Sequence, residues 1–324
     1  MEINVKPYSI ELATPFVISR GARTHCHTVR VTIGYLGYQG VGECTPYLRY
    51  SESVESVVTQ LEMWRGELAE LTPQAAKQQL QSKPAGAARN ALDCALWDLI
   101  GQLEGKAFPS PYFSINDAIE TAMTVSIGEA SAMAAQAKQY VGQGATLLKV
   151  KLNGENVVER VAAVRDRDVA PDCKIILDAN EAWQTLDLAQ LFQQLAPYNI
   201  AMIEQPLPSG QDHCLADIVH PIPLCADESC HTRAELAELK GRYEMINIKL
   251  DKTGGLTEAM LLEQQAREAG FSIMVGCMLG TSLAMKAALP IATRAEIVDL
   301  DGPVLLGKDI DNGLKYHSGN LYLN

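Results

Sequence analysis

The chain has 324 residues, 47% of them hydrophobic and 20% charged, enough for one large α/β barrel with an addition, or for two domains. Acidic residues outnumber basic ones 39 to 27, a net charge of −12. That balance excludes a nucleic-acid surface, which needs clustered Lys and Arg, and any anionic substrate must be drawn in by local positive charge.

Apolar runs are too short to span a bilayer, so no membrane association is expected. Met1 to Pro7 lack a basic segment followed by an apolar stretch, so no secretory signal is expected and the cytoplasm is the expected location. The eight cysteines carry no C-x-x-C spacing and read as buried, reduced thiols. His25-Cys26-His27 does not converge on a metal, because adjacent strand residues point to opposite faces.

In chain order, residues 29–33 and 39–43 read as short strands punctuated by Gly34 and Gly37, and 53–71 and 84–100 as helices. In the second helix Ala88, Ala91, Leu92, Ala95, Leu96 and Leu99 share one face, an Ala-rich surface suited to close packing. Ser82 and Pro84 fit its start and Gly101 its end. These elements predict an N-terminal α+β domain over residues 1–118, ending in a Pro/Ser-rich linker near 109–116. The tail, about 305–324, is too short for a domain and is expected to pack back on the first one.

From 119 to 304 the pattern changes. β-Branched runs at 121–127, 147–152, 174–178, 201–204, 223–227, 245–250, 272–277 and 296–301 alternate with helix-like stretches such as 130–141, 155–165, 186–195, 233–239 and 256–269. Eight strands alternating with helices predict a parallel sheet closed into a barrel, with its site at the carboxyl ends of the strands.

Most of these strands are apolar until their last residues and then deliver charge. Asp178, Glu204 and Asp227 end successive strands, and three carboxylates sharing a site need a counter-charge. Oxygen-only ligands select a hard cation, Mg²⁺. Lys149 and Lys151, two residues apart, share the inward face of one strand. Lys249 stands four strands onward, across the barrel. A buried lysine whose pKa is lowered by a metal or a second ammonium becomes a base. One base on each side of a metal-bound carboxylate suits removal and return of an α-proton, with Mg²⁺ and Lys149 stabilising the enediolate.

Lys149-Val150-Lys151, Asp178-Ala179-Asn180, Glu204-Gln205-Pro206, Ala226-Asp227-Glu228-Ser229 and Ile248-Lys249 together resemble the enolase superfamily, in its muconate-lactonising subgroup, whose pairing of a Lys base with Mg²⁺ is a known pattern. The resemblance implies a TIM-like (β/α)7β barrel under an N-terminal capping domain. Within that subgroup the chain is most similar to the dipeptide epimerases acting on L-Ala-D/L-Glu. That likeness implies Mg²⁺-dependent 1,1-proton transfer converting L-Ala-D-Glu to L-Ala-L-Glu, in recycling of cell-wall peptides. The loop from Thr14 to Arg23 resembles the family's mobile loop, which assigns the Glu side-chain carboxylate to Arg23, with Arg20 as the alternative. Asp299-Leu300-Asp301 resembles the Asp-x-Asp that holds the dipeptide ammonium, and Thr124 and Cys277 match pocket-lining positions. The implied partner is a small dipeptide, and a homo-oligomer stays open. The alternatives are a dipeptide epimerase of other side-chain preference, or an o-succinylbenzoate synthase or cycloisomerase-type lyase on the same scaffold. The Asp pair argues against the lyases, whose substrates carry no ammonium.

Overall fold

The structure, a computed structural model, describes residues 1–106 and 115–323; most of the expected linker at 109–116 lies outside the described residues. The chain opens with an antiparallel sheet of β1 (Glu2–Ile18), β2 (Gly21–Tyr35) and β3 (Tyr38–Cys44). The expected strands at 29–33 and 39–43 fall within β2 and β3. β1 and the first half of β2 escape the sequence pattern because little of β1 is buried beyond Ile3, Leu12 and Ile18. Pairing with a neighbour, rather than alternating burial, makes it a strand. Residues 14–23, expected as a loop, form the tip of this hairpin: Phe16 pairs with Arg23, Val17 with Ala22 and Ile18 with Gly21, beyond a register shift after Glu11.

Helices α1 (Val54–Ala69), α2 (Pro73–Leu80) and α3 (Ala87–Leu103) follow. α2 lies outside the expected elements, although Thr72 caps it and Pro73 opens it, a helix-start signature. α3 lies on the glycine-bearing strand β3: a Cβ at Gly40 would meet Ala95 O at 2.2 Å, and one at Gly42 would meet Ala91 O at 2.1 Å. The Ala-rich face thus brings helix and strand into backbone contact. α3 runs past Gly101, which is buried within it; packing outweighs the roughly 1 kcal/mol helix penalty of glycine. Its other side faces the barrel, where Arg89 donates to Thr253 O at 2.6 Å and Asn90 Nδ2 to Asp251 Oδ1 at 2.8 Å.

After β4 (Ala118–Glu120) come β5 (Met123–Val125), α4 (Ala130–Gly142), β6 (Leu147–Lys151), α5 (Val157–Val164), β7 (Lys174–Asp178), α6 (Leu188–Leu195) and β8 (Ile200–Glu204). A 3₁₀ turn, His213–Asp217, stands where a helix after β8 is usual. Then follow β9 (Leu224–Ala226), α7 (Leu236–Leu239), β10 (Met245–Ile248), α8 (Leu250–Thr253), α9 (Leu256–Glu268), β11 (Ser272–Gly276), α10 (Ser282–Ala292) and β12 (Ile297–Asp299). Strands β5 to β12 form one eight-stranded sheet in sequence order. Ala122 N donates to Val298 O at 2.8 Å and Leu300 N to Thr121 Oγ1 at 2.9 Å, joining the first strand to the last in a barrel.

Inside the barrel Ala122, Leu147, Ile176, Met202, Cys225, Met245, Met274 and Ile297 make one apolar layer. Two residues further along, on the same face of each strand, stand Thr124, Lys149, Asp178, Glu204, Asp227, Asn247, Gly276 and Asp299. The polar layer is therefore the next rung above a packed floor.

The tail crosses back: Leu306 bridges to Leu12 and Gly307 N donates to Glu11 O at 2.8 Å. Its hairpin, β13 (Lys315–His317) and β14 (Asn320–Tyr322), adds to β4. Six of the eight cysteines are buried as expected, but Cys214 is exposed and Cys277 half-buried.

Candidate active site

Strand register brings the charged residues together. Lys151 pairs with Asp178 across β6 and β7, Asp178 with Glu204 across β7 and β8, and Glu204 with Cys225 on β9. Lys149 Nζ lies 2.7 Å from Glu204 Oε2, 2.8 Å from Asp299 Oδ2 and 3.1 Å from Asp178 Oδ2. Lys151 Nζ is 2.5 Å from Asp178 Oδ2, and Lys249 Nζ 2.6 Å from Asp227 Oδ2. A cavity of about 70 Å³ above them is lined by Arg23, Thr124, Lys149, Lys151, Asp227, Lys249, Cys277, Asp299 and Asp301. Asp178 and Glu204, the two remaining expected residues, are fully buried beneath the lysines.

The electrostatics follow from this pairing. Burial works against a charge on Lys149, but Asp299, Glu204 and Asp178 outweigh it and raise its pKa; Asp227 and Glu204 do the same for Lys249. These carboxylates therefore favour the ammonium form of both lysines, and the lowering expected from the sequence rests on a cation that takes the carboxylates over. Burial opposes ionisation of Asp178 and Asp227, yet Lys151 and Lys149 hold the first, and Lys249 and Lys252 the second, well below the usual carboxylate range. Glu204 is pushed up to about 7 by burial and Asp178. Asp301 also rises to about 7, through burial and Asp299; it accepts from Thr124 N at 2.8 Å.

Among the described residues no three carboxylate, imidazole or thiolate side chains form a ready metal cluster, because the ammonium groups sit between the carboxylates. The donor chemistry nonetheless fits a hard cation. Among the described residues, Asn180 Oδ1, Glu228 Oε2, Asn247 Oδ1 and Asp299 Oδ1 are buried side-chain oxygens without a hydrogen-bond partner, whereas Glu204 Oε2 and Asp227 Oδ1 each meet a lysine ammonium at 2.7 Å. All of these oxygens lie on or beside the polar layer. Orphaned buried acceptors concentrated in one place call for a bound cation.

The two candidate arginines differ. Arg20, at the hairpin tip, is engaged: it meets Glu228 at 2.8 Å, Glu181 at 3.2 Å and Tyr47 Oη at 3.0 Å. Arg23 stacks its guanidinium 4.7 Å from the Tyr47 ring centre and makes no ion pair with any described residue, while lining the cavity.

Sequence reasoning missed Asn247, whose Nδ2 donates to Glu204 Oε1 at 2.7 Å; its place two residues before Lys249 on an inward face was the available signal. It also missed Tyr50, a cavity-lining residue on a surface turn with no periodicity to betray it.

Residues 1–108 match the family described as mandelate racemase / muconate lactonizing enzyme, N-terminal domain, and residues 132–323 the family described as enolase C-terminal domain-like. The chain is 48% identical over 314 residues to an L-Ala-D/L-Glu epimerase of Escherichia coli strain K12, covering 96% of each. It is 40% identical over 291 residues to an N-acetyl-D-glutamate racemase of Pseudoalteromonas sp., covering 90% of this chain and 91% of that one. A dipeptide epimerase from Enterococcus faecalis V583, complexed with Mg and the dipeptide L-Leu-L-Tyr, shares its fold with a TM-score of 0.91 at 29% identity, covering 100% of this chain and 96% of that one. Motif order, barrel, capping sheet and these matches agree: the chain belongs to the enolase superfamily, in the mandelate racemase and muconate lactonizing enzyme family.

Proposed function

We propose that the chain is an isomerase, a Mg²⁺-dependent dipeptide epimerase that interconverts L-Ala-D-Glu and L-Ala-L-Glu. The observation that carries this reading is one barrel mouth holding an acidic trio, lysines on opposite sides and an Asp pair. Asp178, Glu204 and Asp227 would hold the cation. When bound, Mg²⁺ neutralises the substrate α-carboxylate, so that its α-proton becomes acidic enough to remove. A cation on Asp178 and Asp227 would also compete with the ion pairs that hold Lys151 and Lys249.

With the α-carbon between them, one lysine as the neutral amine takes the α-proton and becomes an ammonium. The other, already an ammonium, returns a proton to the opposite face. Configuration inverts, and protons and charge balance over the two steps. The Lys149 ammonium faces the carboxylate charge as it grows. Asp299 and Asp301 bind the dipeptide ammonium, Arg23 binds the side-chain carboxylate, and Thr124 and Cys277 shape the wall.

The 48% identical epimerase supports Ala-Glu as substrate. The 40% identical racemase of an N-acetylated glutamate supplies a second reading, in which the amine is blocked; two carboxylates facing that amine favour the free dipeptide. We assign the protein to cytoplasmic recycling of cell-wall peptides, the setting that its likeness to the L-Ala-D/L-Glu epimerases implies. We also propose a capping domain of residues 1–118 and a barrel of 119–304, a division supported by the separate core of the capping sheet with α1 to α3. The tail, expected to complete the capping domain over 305–324, divides: Leu306 bridges to Leu12, but Leu314 and Leu321 pack in the barrel core because their hairpin pairs with β4.

The deciding experiment is proton NMR in D₂O with Mg²⁺ and L-Ala-D-Glu. Metal-dependent loss of the Glu α-proton signal with appearance of the L,L diastereomer establishes the activity. Exchange only with N-acetyl-D-glutamate moves the assignment to the racemase.

A further inference from the structure

The three carboxylates of the acidic trio are not held in the same way. Asp178 and Glu204 are the last residues of β7 and β8 and pair directly across the sheet. Asp227 lies one residue beyond the end of β9, where the strand ladder no longer fixes it. Side chains hold its backbone there, together with the Cys230 N–H that donates to its carbonyl at 3.1 Å. Asp227 N donates to Gln205 Oε1 at 2.9 Å, and its carbonyl accepts from Lys252 Nζ at 2.5 Å.

Lys252 is one of the largest fully buried side chains among the described residues. Besides Asp227 O, its ammonium donates to Cys230 O and to Asn247 O, each at 2.8 Å, so all three N–H groups are used. It also stands 2.7 Å from Asp227 Oδ1. Asp227 thus carries two lysines on one carboxylate, Lys249 on Oδ2 and Lys252 on Oδ1. Their attachments differ. Lys249 Nζ has a single hydrogen-bond acceptor among the described residues, Asp227 Oδ2, and lines the cavity. Lys252 is tied to three carbonyls that belong to the segments carrying Asp227 and Lys249.

We infer that Lys252 is a positioning residue for the metal site: a fixed counter-ion that holds Asp227 past the end of its strand in a cation-ready orientation while Lys249 is displaced. The inference rests on the reading of Asp227 as a metal ligand. A cation arriving at Asp227 competes with both ammonium groups. Leaving Asp227 costs Lys249 its one partner and opens the cavity to it, whereas withdrawing Lys252 breaks three buried ammonium–carbonyl hydrogen bonds at once. One lysine therefore becomes mobile and the other stays. The common anchor on Asp227 O and Asn247 O also keeps the trio in register with the strand that ends at Lys249.

Isothermal titration of Mg²⁺ into the full chain, without substrate, tests this on the wild type, Lys252→Met and Lys252→Arg. We expect Lys252→Met to bind Mg²⁺ at least about tenfold more weakly at a temperature where its circular dichroism is native, with Lys252→Arg failing to restore affinity because a planar guanidinium cannot reproduce a tripod of donors. Equal affinity in the wild type and a folded Lys252→Met overturns the inference and leaves the metal reading intact. No Mg²⁺ binding by the wild type overturns the metal reading itself. If Lys252→Met does not fold, ¹⁵N-lysine NMR of the wild type decides: the Lys252 ammonium signal should persist with little change on adding Mg²⁺ while that of Lys249 moves or exchanges away. Equal perturbation of both signals refutes the distinction.

Discussion

Asp178 and Glu204 face each other in register across β7 and β8, yet their carboxyl groups titrate far apart. Lys151 and Lys149 overcome burial to hold Asp178 well below the carboxylate range, whereas burial and Asp178 itself push Glu204 up to about 7. Two neighbouring carboxylates separated this far are short of positive charge, which a divalent cation supplies. Activity should therefore vanish, by more than about a thousandfold, in EDTA and return with Mg²⁺. Mg²⁺ alone should raise the melting temperature, since a ligand of the folded state stabilises it. Scanning fluorimetry with and without Mg²⁺ checks this; full activity after exhaustive chelation would sink the metal assignment.

Lys151 and Lys249 end strands on opposite sides of the barrel, with three strands between β6 and β10 in the sheet order. Lys151→Ala and Lys249→Ala should each abolish epimerisation, by roughly a thousandfold or more. Each should still exchange the α-proton of one epimer with D₂O while failing on the other, and the two variants should show opposite preferences. Identical preferences would mean that the lysines do not divide the two faces.

Arg20 is bound to Glu228 and Glu181, while Arg23 rests on Tyr47 at the cavity. Losing a charge-assisted hydrogen bond removes about 1.5–3 kcal/mol, so Arg23→Ala should raise KM for L-Ala-L-Glu by roughly 10- to 100-fold. A dipeptide with an uncharged second side chain should be little affected. Arg20→Ala should lower activity on both substrates alike, since it loosens the hairpin tip. Steady-state kinetics on the two dipeptides separates these outcomes, and the reverse pattern would transfer the role to Arg20.

Asp251 accepts from Thr45 N at 3.0 Å and Asn90 Nδ2 at 2.8 Å, both on Oδ1. Burial raises it to about 7, against those two donors and with Glu52 and Glu43 adding to the rise. The unfolded value is about 3.9, so between these pH values the folded state binds more protons and stability falls as pH rises. Asp251→Asn keeps an acceptor for both donors and removes the titration. Its melting temperature relative to wild type should climb by several degrees between pH 5 and 8, followed by scanning calorimetry. A pH-independent difference would show that Asp251 does not titrate in this range.

The capping domain depends on the absence of a side chain at Gly42, where a Cβ would lie 2.1 Å from Ala91 O. Gly42→Ala should destabilise the protein by about 3 kcal/mol or more, because the clash is with helix backbone rather than a flexible side chain. Gly66→Ala, at a site with nothing within 4 Å, should be neutral or slightly stabilising. Urea denaturation of the pair measures the contrast; equal midpoints would contradict the close approach of α3 to β3.

Much of this was written in the chain itself. Two-residue periodicity put Lys149, Asp178, Glu204 and Asp299 on the inward face one step above Leu147, Ile176, Met202 and Ile297, because side chains alternate along any strand. Alternating strands and helices likewise fixed a parallel barrel and hence which strand ends share a mouth. Three things lay beyond such local rules. β1 became a strand through its partner β2, since its own residues bury too little to show a period. The proton affinity of Lys149 and Lys249 depends on which carboxylates tertiary folding places within 3 Å or so of the ammonium. The division of labour between Arg20 and Arg23, like the clasp of Lys252 on Asp227, rests on contacts between residues 25 to 208 positions apart. Periodicity records which way a side chain points along its own strand; only the closed barrel under its capping sheet decides what it meets there.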